Sequence, residues 1–169
     1  VLTGQIGECG ETQLAWSGVD KAVVYKVYRD GELLAELDFE TEEDLTYSDL
    51  DTGANKTYAY AVEAIDTDGK SLCRSNEITV TTPEELIVTS NVTLTKNMTV
   101  YSVDITNATL NLNGYSLTVY HDYTQNNGTL VFNDGVLDVR GNYNLGKNAR
   151  VVMQNANDYL HVMGNFFWQ

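Results

Sequence analysis

A repeat of about twenty residues in the second half of the chain constrains the fold more than any other feature. Three sets of apolar positions recur at this spacing, the last with three extra residues in its turns: Leu110, Leu117 and Val119; Leu130, Leu137 and Val139; Val151, Leu160 and Val162. Each copy holds two short alternations of apolar and polar residues, which is the period of strands and not of helices. A fixed period of this length predicts a β-solenoid, in which each coil buries its apolar face against the next.

The repeat sets the limits of the coils. We place an irregular first coil at 86–107 and regular repeats at 108–128, 129–149 and 150–169, so that the twenty-residue register starts at Ala108. Eight side chains should point inward and stack in columns: Leu112, Leu117, Val119, Phe132, Leu137, Val139, Leu160 and Val162. Asparagine recurs in the turns, with Asn113 and Asn133 in one column and Asp122, Asn142 and Asn165 in another. Asn tolerates left-handed backbone and bonds its own main chain, so these columns are interpreted as structural.

Composition divides the chain at Pro83, the single proline. Residues 1–82 hold 17 of the 24 acidic side chains and only two of the asparagines, whereas fourteen asparagines follow Pro83. Two compositions on either side of one proline predict two domains, 1–82 and 83–169. The net charge of −14 excludes nucleic acid as a partner, because phosphate neutralisation requires Lys and Arg in excess. There is also no apolar run of the length that spans a membrane.

Residues 1–82 read as short strands separated by turn signals every eight to twelve residues, which predicts an all-β sandwich. Leu14 and Trp16 alternate inward in one strand, and Tyr25 and Val27 do so in the next. Arg29-Asp30-Gly31-Glu32 should close a tight hairpin, since Gly accepts a positive φ. One face of a later strand is lined by Tyr58, Tyr60, Val62 and Ala64.

These segments together resemble a fibronectin type III domain of the kind found in bacterial extracellular proteins. The residues that carry the resemblance are Leu14-Ala15-Trp16, Tyr25 to Gly31, Thr46 to Asp49, the Leu50 to Tyr58 spacing, Ala64-Ile65-Asp66 and Ser75-Asn76-Glu77. The resemblance implies that Trp16 is the core Trp of the second strand. It also implies that Tyr58 is the tyrosine-corner residue, its hydroxyl tied back toward the Leu50 segment.

The stretch from Ala108 to Gln169 resembles the Asn/Gly-rich β-helical repeats of large Gram-positive surface proteins, with their alternating "TLNLNG…LTV" pattern. The two resemblances imply an exported structural and adhesive segment of a larger bacterial surface protein, located outside the cell. On this interpretation a surface polysaccharide or protein is the ligand. The alternative is a carbohydrate-binding module of a secreted polysaccharide-processing protein, in which exposed rings would stack on sugars: Tyr115, Tyr120, Tyr123 and Tyr143.

The sequence contains no recognisable catalytic constellation. Polysaccharide lyases share a β-helix, but they need acidic and basic side chains concentrated on one face. Here the coils carry only scattered charges: Asp104, Asp122, Asp134, Asp138, Asp158, Arg140, Lys147 and Arg150. His121 and His161 fall in different columns of the repeat, with no cysteine near them. We therefore predict that the chain is not an enzyme and binds no cofactor or catalytic metal.

Calcium is the alternative at two acidic segments. The run from Glu36 to Asp51 is rich in carboxylates, and Asp66-Thr67-Asp68-Gly69 has a compact acidic pattern. The first segment lacks the spacing and internal Gly of a calcium loop, and the second is also an ordinary turn between strands. Both are interpreted as solvated turns. Cys9 and Cys73 should lie at opposite ends of the sandwich, which favours two separate thiols over a bridge.

The final residues, Asn165-Phe166-Phe167-Trp168-Gln169, continue the repeat without adding a polar capping unit. A solenoid needs its last open edge covered. We therefore expect either further coils in a longer natural protein or the strands of another chain at this edge. In both cases Phe167 and Trp168 should mediate self-association at high concentration.

Overall fold

The computed structural model describes residues 1–38 and 45–169, and these contain strands and turns but no helix. The described residues therefore include no helix that is long and apolar enough to cross a membrane. The chain divides into two units, Val1–Gly7 with Glu11–Thr82, and Glu8–Gly10 with Pro83–Gln169. The prediction of an all-β chain is confirmed.

The first unit consists of two antiparallel sheets. Its strands are β1 (Leu2–Ile6), β2 (Thr12–Trp16), β3 (Val24–Arg29), β4 (Glu32–Asp38), β5 (Leu45–Asp49), β6 (Thr57–Ile65), β7 (Ser71–Arg74) and β8 (Ile78–Thr81). One sheet has the order β1-β2-β5, and the other has the order β4-β3-β6-β7, with β8 also paired to β6. The predicted hairpin joins β3 to β4, with positive φ at Asp30 and Gly31.

Alternating side chains of both sheets form the core of this unit, as the sequence predicted. Leu14, Tyr25 and Val27 are buried, and so are Tyr60, Val62 and Ala64 on the long strand β6. The Trp16 ring packs against Tyr25, with centroids 5.8 Å apart. The Tyr58 hydroxyl accepts a hydrogen bond from the Gly53 backbone N–H at 2.9 Å. This bond ties β6 back to the segment that follows β5.

A buried carboxylate also belongs to this core. Asp49 is 1% exposed, and the Arg29 guanidinium donates to both of its oxygens at 2.9 and 3.1 Å. The Tyr60 hydroxyl donates to the same carboxylate at 2.8 Å, as does the Asp51 N–H at 3.1 Å. Burial first, and then the neighbouring carboxylate, raise the pKa of Tyr60 well above its usual range. Asp49 thus accepts four hydrogen bonds although it is almost completely buried.

The second unit is a β-solenoid of about four turns, which confirms the main prediction from the repeat. Its strands are β9 (Leu86–Val88), β10 (Val92–Thr93), β11 (Met98–Val100), β12 (Val103–Ile105), β13 (Thr109–Asn111), β14 (Ser116–Val119), β15 (Tyr123–Val131), β16 (Val136–Val139), β17 (Tyr143–Val152), β18 (Tyr159–Val162) and β19 (Phe166–Trp168). All of their pairings are parallel. The irregularity between Gln125 and Asn127 divides β15 into two halves that pair separately.

Three faces result from this pairing. The first contains β9, β12, β19 and the first halves of β15 and β17, and the second contains β10, β13 and the remaining halves. The third contains β11, β14, β16 and β18. The predicted columns are present, for example Leu117, Leu137 and Leu160 in register on the third face. All eight predicted inward residues belong to the core or pack against it.

The twenty-residue register begins before Ala108, its expected starting point. Val103 pairs with Tyr123, so the spacing of about twenty residues starts at β12 and not at Ala108. The early coils are shorter on the other two faces, where Val92 pairs with Leu110 and Met98 with Leu117. The turns therefore absorb the differences in coil length.

Asparagine side chains form ladders at the turns. Asn113 and Asn133 both have positive φ, and their side-chain amides meet at 3.4 Å. In the other predicted column, the Asp122 carboxylate accepts the Asn142 N–H at 2.8 Å, and the Asn142 side-chain oxygen accepts the Asn165 N–H at 3.0 Å. These contacts bear out the structural interpretation of both columns. A third ladder, between Asn107 and Asn127 at 2.8 Å, was not foreseen.

Candidate functional site

The outer side of the third face carries a group of charged side chains that contact one another. Because side chains alternate along each strand, Leu137 and Val139 point inward and Asp138 points outward. The parallel register places Thr118, Asp138 and His161 in one row across three coils. Neighbouring strands in a sheet are about 4.8 Å apart, so these side chains are direct neighbours.

Asp138 is the centre of this row. His161 Nδ1 lies 2.7 Å from one carboxylate oxygen, and Arg140 Nε donates to the other at 2.8 Å. Partial burial would raise the pKa of Asp138, but the hydrogen bonds from His161 and Arg140 outweigh it and lower the pKa. The carboxylate is therefore charged at neutral pH and fixed in orientation by two partners.

Two further side chains border the pair. Arg140 directly follows β16, and its hydrogen bond to Asp138 raises its own pKa. Tyr159 lies two residues before His161 on β18, and 57% of it is exposed. We call the set Thr118, Asp138, Arg140, Tyr159 and His161 the Asp138 patch. It combines an aromatic ring, a hydroxyl and a bonded ion pair on one sheet face.

The repeat itself contained the signal for this patch. Once Leu137 is aligned with Leu160 and Val139 with Val162, Asp138 and His161 must be neighbours. Considered one by one, the charged residues of the coils look scattered in the sequence. Only their alignment in the repeat shows that Asp138, Arg140 and His161 meet.

The tyrosines proposed to stack on sugars do not form an exposed row. Tyr123 and Tyr143 are fully buried in the solenoid core, so the prediction that they lie outside is wrong. Tyr115 is half-buried and packs against the same core, and Tyr120 is half-buried. The carbohydrate-binding alternative therefore has no ring platform at these four positions.

Tyr123 and Tyr143 instead form an internal aromatic stack. Their ring centroids are 4.7 Å apart with planes 11° from parallel, and Phe166 continues the stack at 4.8 Å and 10°. Burial raises the pKa of both tyrosine hydroxyls, so they remain neutral. The spacing of the rings matches that of the coils, which places one ring in each coil.

The remaining charged residues of the coils mainly support turns. Asp158 accepts backbone N–H groups of Asp134, Gln154 and Asn155. The Asp122 carboxylate accepts the Asn142 N–H, in agreement with its predicted position in a turn. The ring of the other histidine, His121, stacks on Tyr101 at 4.0 Å and makes different contacts from His161.

The first face bears a shallow groove of about 290 Å³ on its outer side, lined mainly by Glu85, Ile87, Ser102, Asp104, Asp122 and Thr124. The charged side chains that line it are all acidic. No three His, Cys, Asp or Glu side chains within 1–38 and 45–169 are grouped so that they could hold a metal ion.

Of the two acidic segments considered for calcium, the structure describes the first only in part and the second completely. Glu40, Glu42, Glu43 and Asp44 lie outside the described residues. Asp66 closes a turn, since its carboxylate accepts the Asp68 and Lys70 N–H groups at 3.0 and 2.9 Å. Cys9 and Cys73 are exposed and do not form a disulfide.

The strand β19 is paired on one side, with β17. Its three residues are exposed by 50% at Phe166, 48% at Phe167 and 77% at Trp168. Tyr159 and Met163 are also more than half exposed on the same coil. The last described coil therefore presents apolar side chains next to unpaired backbone groups.

Comparison with protein-family models gives no match. Among curated proteins, 72 residues of the chain are 39% identical to an amylopullulanase from Thermoanaerobacter thermohydrosulfuricus. This match covers 41% of the chain and 5% of the amylopullulanase. The chain thus corresponds to a small part of that enzyme's length.

The chain can also be superposed on solved pectate lyases. A pectate lyase from Erwinia chrysanthemi, solved in complex with tetragalacturonic acid, gives a TM-score of 0.41 at 17% identity and covers 98% of this chain and 77% of its own. A pectate lyase from Pectobacterium carotovorum gives a TM-score of 0.40 at 17% identity, over 99% of this chain and 65% of its own.

The prediction that the chain is not an enzyme is corrected by this comparison. The structures superposed on it are pectate lyases, which are enzymes. The prediction relied on charges that look scattered in the sequence, whereas the coils bring Asp138, Arg140 and His161 together. Scattered positions in a coiled chain are therefore no ground for excluding catalysis, and we withdraw the prediction.

Proposed function

We propose that this chain is an extracellular segment of a larger polysaccharide-processing protein. The observation that carries the proposal is the 39% identity over 72 residues to an amylopullulanase, a protein named for action on polysaccharide. The chain matches only 5% of that protein, which fits a module within a long polypeptide. The low Lys and Arg content and net charge of −14 argue against a nucleic-acid role.

We further propose that residues 1–82 are a fibronectin type III-like domain, followed by the solenoid domain at 83–169. The strand order supports this, because β1-β2-β5 and β4-β3-β6 with β7 and β8 form the two sheets of such a sandwich. The hydrogen bond from Gly53 to the Tyr58 hydroxyl supports it as well, since it has the geometry expected of a tyrosine corner.

The proposal is tested on the full-length natural protein. We expect antibodies against this segment to find the protein in the medium or on the cell surface, and we expect the purified protein to bind or convert a soluble polysaccharide. Deletion of the segment should weaken action on polymeric substrate more than on short oligosaccharides. A protein that stays inside the cell, or that neither binds nor converts any polysaccharide, would refute the proposal.

A further inference from the structure

We propose that the Asp138 patch on the outer side of the third face is a contact site for a neutral polysaccharide chain. The inference rests on the proposed function and goes beyond it by naming the residues and the ligand chemistry. It starts from the observation that one face of the coils joins exposed aromatic surface to a bonded ion pair.

The polar atoms of the patch are held in place before any ligand arrives. Both oxygens of Asp138 are engaged, one by Arg140 and one by His161. Groups that are already ordered lose little conformational entropy on binding, which favours recognition by a few directed hydrogen bonds. Since Nδ1 of His161 faces Asp138, its Nε2 lies on the opposite side of the ring, and half of the side chain (49%) is exposed.

Tyr159 supplies the apolar part of the site. Its exposed ring lies on the same strand and the same side as His161. A sugar ring has hydroxyl groups at its edge and C–H groups on its faces, so it can be bound by an aromatic ring together with directed polar groups. Tyrosine suits such a ligand because its ring is apolar and its hydroxyl can hydrogen-bond.

Charge decides which polysaccharide fits. Within the patch, the Asp138 carboxylate is balanced by the Arg140 guanidinium. Residues 83–169, which form the solenoid, carry seven acidic and four basic side chains, and this net negative charge disfavours polyanions such as a uronic-acid polymer. A neutral glycan meets no such repulsion, and its hydroxyl groups can both donate to and accept from the patch.

The parallel coils give this face the form of an extended strip. Thr118 lies in the row of Asp138 and His161, and Thr99 continues that row on β11. Rows of this kind run across the strands, so a polymer lying over the sheet would meet hydroxyl groups beyond the charged pair. A chain of sugars is therefore favoured over a single monosaccharide.

The test is affinity electrophoresis of the whole chain in native gels cast with amylopectin, pullulan or polygalacturonate. We expect retardation by amylopectin or pullulan and none by polygalacturonate. His161→Ala and Tyr159→Ala should each weaken binding about tenfold, as expected for the loss of one hydrogen bond or one stacked ring. Tyr159→Phe should retain most of the binding, because it keeps the ring.

The matched control is Phe167→Ala, which removes an exposed ring from the first face, away from the patch. It should leave the retardation unchanged, and all variants should unfold at the temperature of the parent chain. The inference is overturned if neither neutral glycan retards the parent chain, if the patch variants bind as well as the parent, or if polygalacturonate is preferred. In those cases the proposed function would still hold, provided that the full-length protein is extracellular and processes polysaccharide.

Discussion

Replacing Leu137 with alanine should destabilise the solenoid strongly, because Leu137 lies at the centre of a stacked column. It is fully buried, with Leu117 and Leu160 in register on either side. Backbone pairing holds both neighbouring strands at the usual spacing of about 4.8 Å, so the coils cannot close the gap left by the missing atoms. Leu→Ala changes at such sites cost about 2–5 kcal/mol, and the constrained site argues for at least 3 kcal/mol.

The assay is thermal unfolding followed by circular dichroism, combined with amide hydrogen exchange read by mass spectrometry. A loss of about 3 kcal/mol in the free energy of unfolding lowers the melting temperature by roughly 12–24 °C in a unit of this size. Hydrogen exchange should show lost protection in the coils and unchanged protection in β2, β3 and β6. Leu137→Asp should unfold the coils outright, since a buried carboxylate in this column would have no partner.

Leu137→Met is the matched control, because it conserves volume and should cost less than about 1.5 kcal/mol. An unchanged midpoint for Leu137→Ala would refute the reasoning, since it would mean that the column is not packed as described. Equal loss of protection in both units would refute it in another way, by showing that the coils do not unfold by themselves.

The remaining predictions concern the sandwich, the turns and the last coil. Asp49→Ala should destabilise the sandwich by about 2 kcal/mol in urea unfolding, since it removes the carboxylate that accepts from the fully buried Tyr60 hydroxyl; an effect below about 0.5 kcal/mol would contradict this interpretation. Gly128→Ala should lower the melting temperature of the solenoid, because the residue has a φ of 90° and an added Cβ would collide with the Ala108 carbonyl. An unchanged melting temperature would show that this turn can relax. The chain should associate at high concentration in sedimentation experiments, and Trp168→Ser should reduce this association; a strictly monomeric parent chain would disprove the open-edge hypothesis.

Much of the solenoid could be predicted from sequence because its order is local and repeated. Alternation fixes which residues of a short strand share a side, and the period fixes which residues stack. Leu117, Leu137 and Leu160 therefore align without any knowledge of the rest of the chain. Asn113 and Asn133 were assigned to turns for an equally local reason, namely their tolerance of positive φ.

The tertiary structure decided which side chains near the strand ends are buried in the solenoid core. The repeat aligned Tyr123 with Tyr143, but the side on which they lie depends on where β15 begins and on its irregularity at Gln125 and Asn127. Gln125 is buried because the Gly128 and Arg150 carbonyls accept its amide hydrogens at 3.1 and 3.0 Å. No local pattern reports such partners.

The same holds for the charged groups. Asp49 can be buried only because Arg29 and Tyr60, from other strands, converge on it. Asp138 and His161 are aligned by the repeat, but their contact at 2.7 Å forms only once β16 and β18 have paired. Periodicity is a property of neighbouring residues and is visible in the chain itself. The compensation of a buried charge or amide depends on distant residues, and it exists only once the strands have paired.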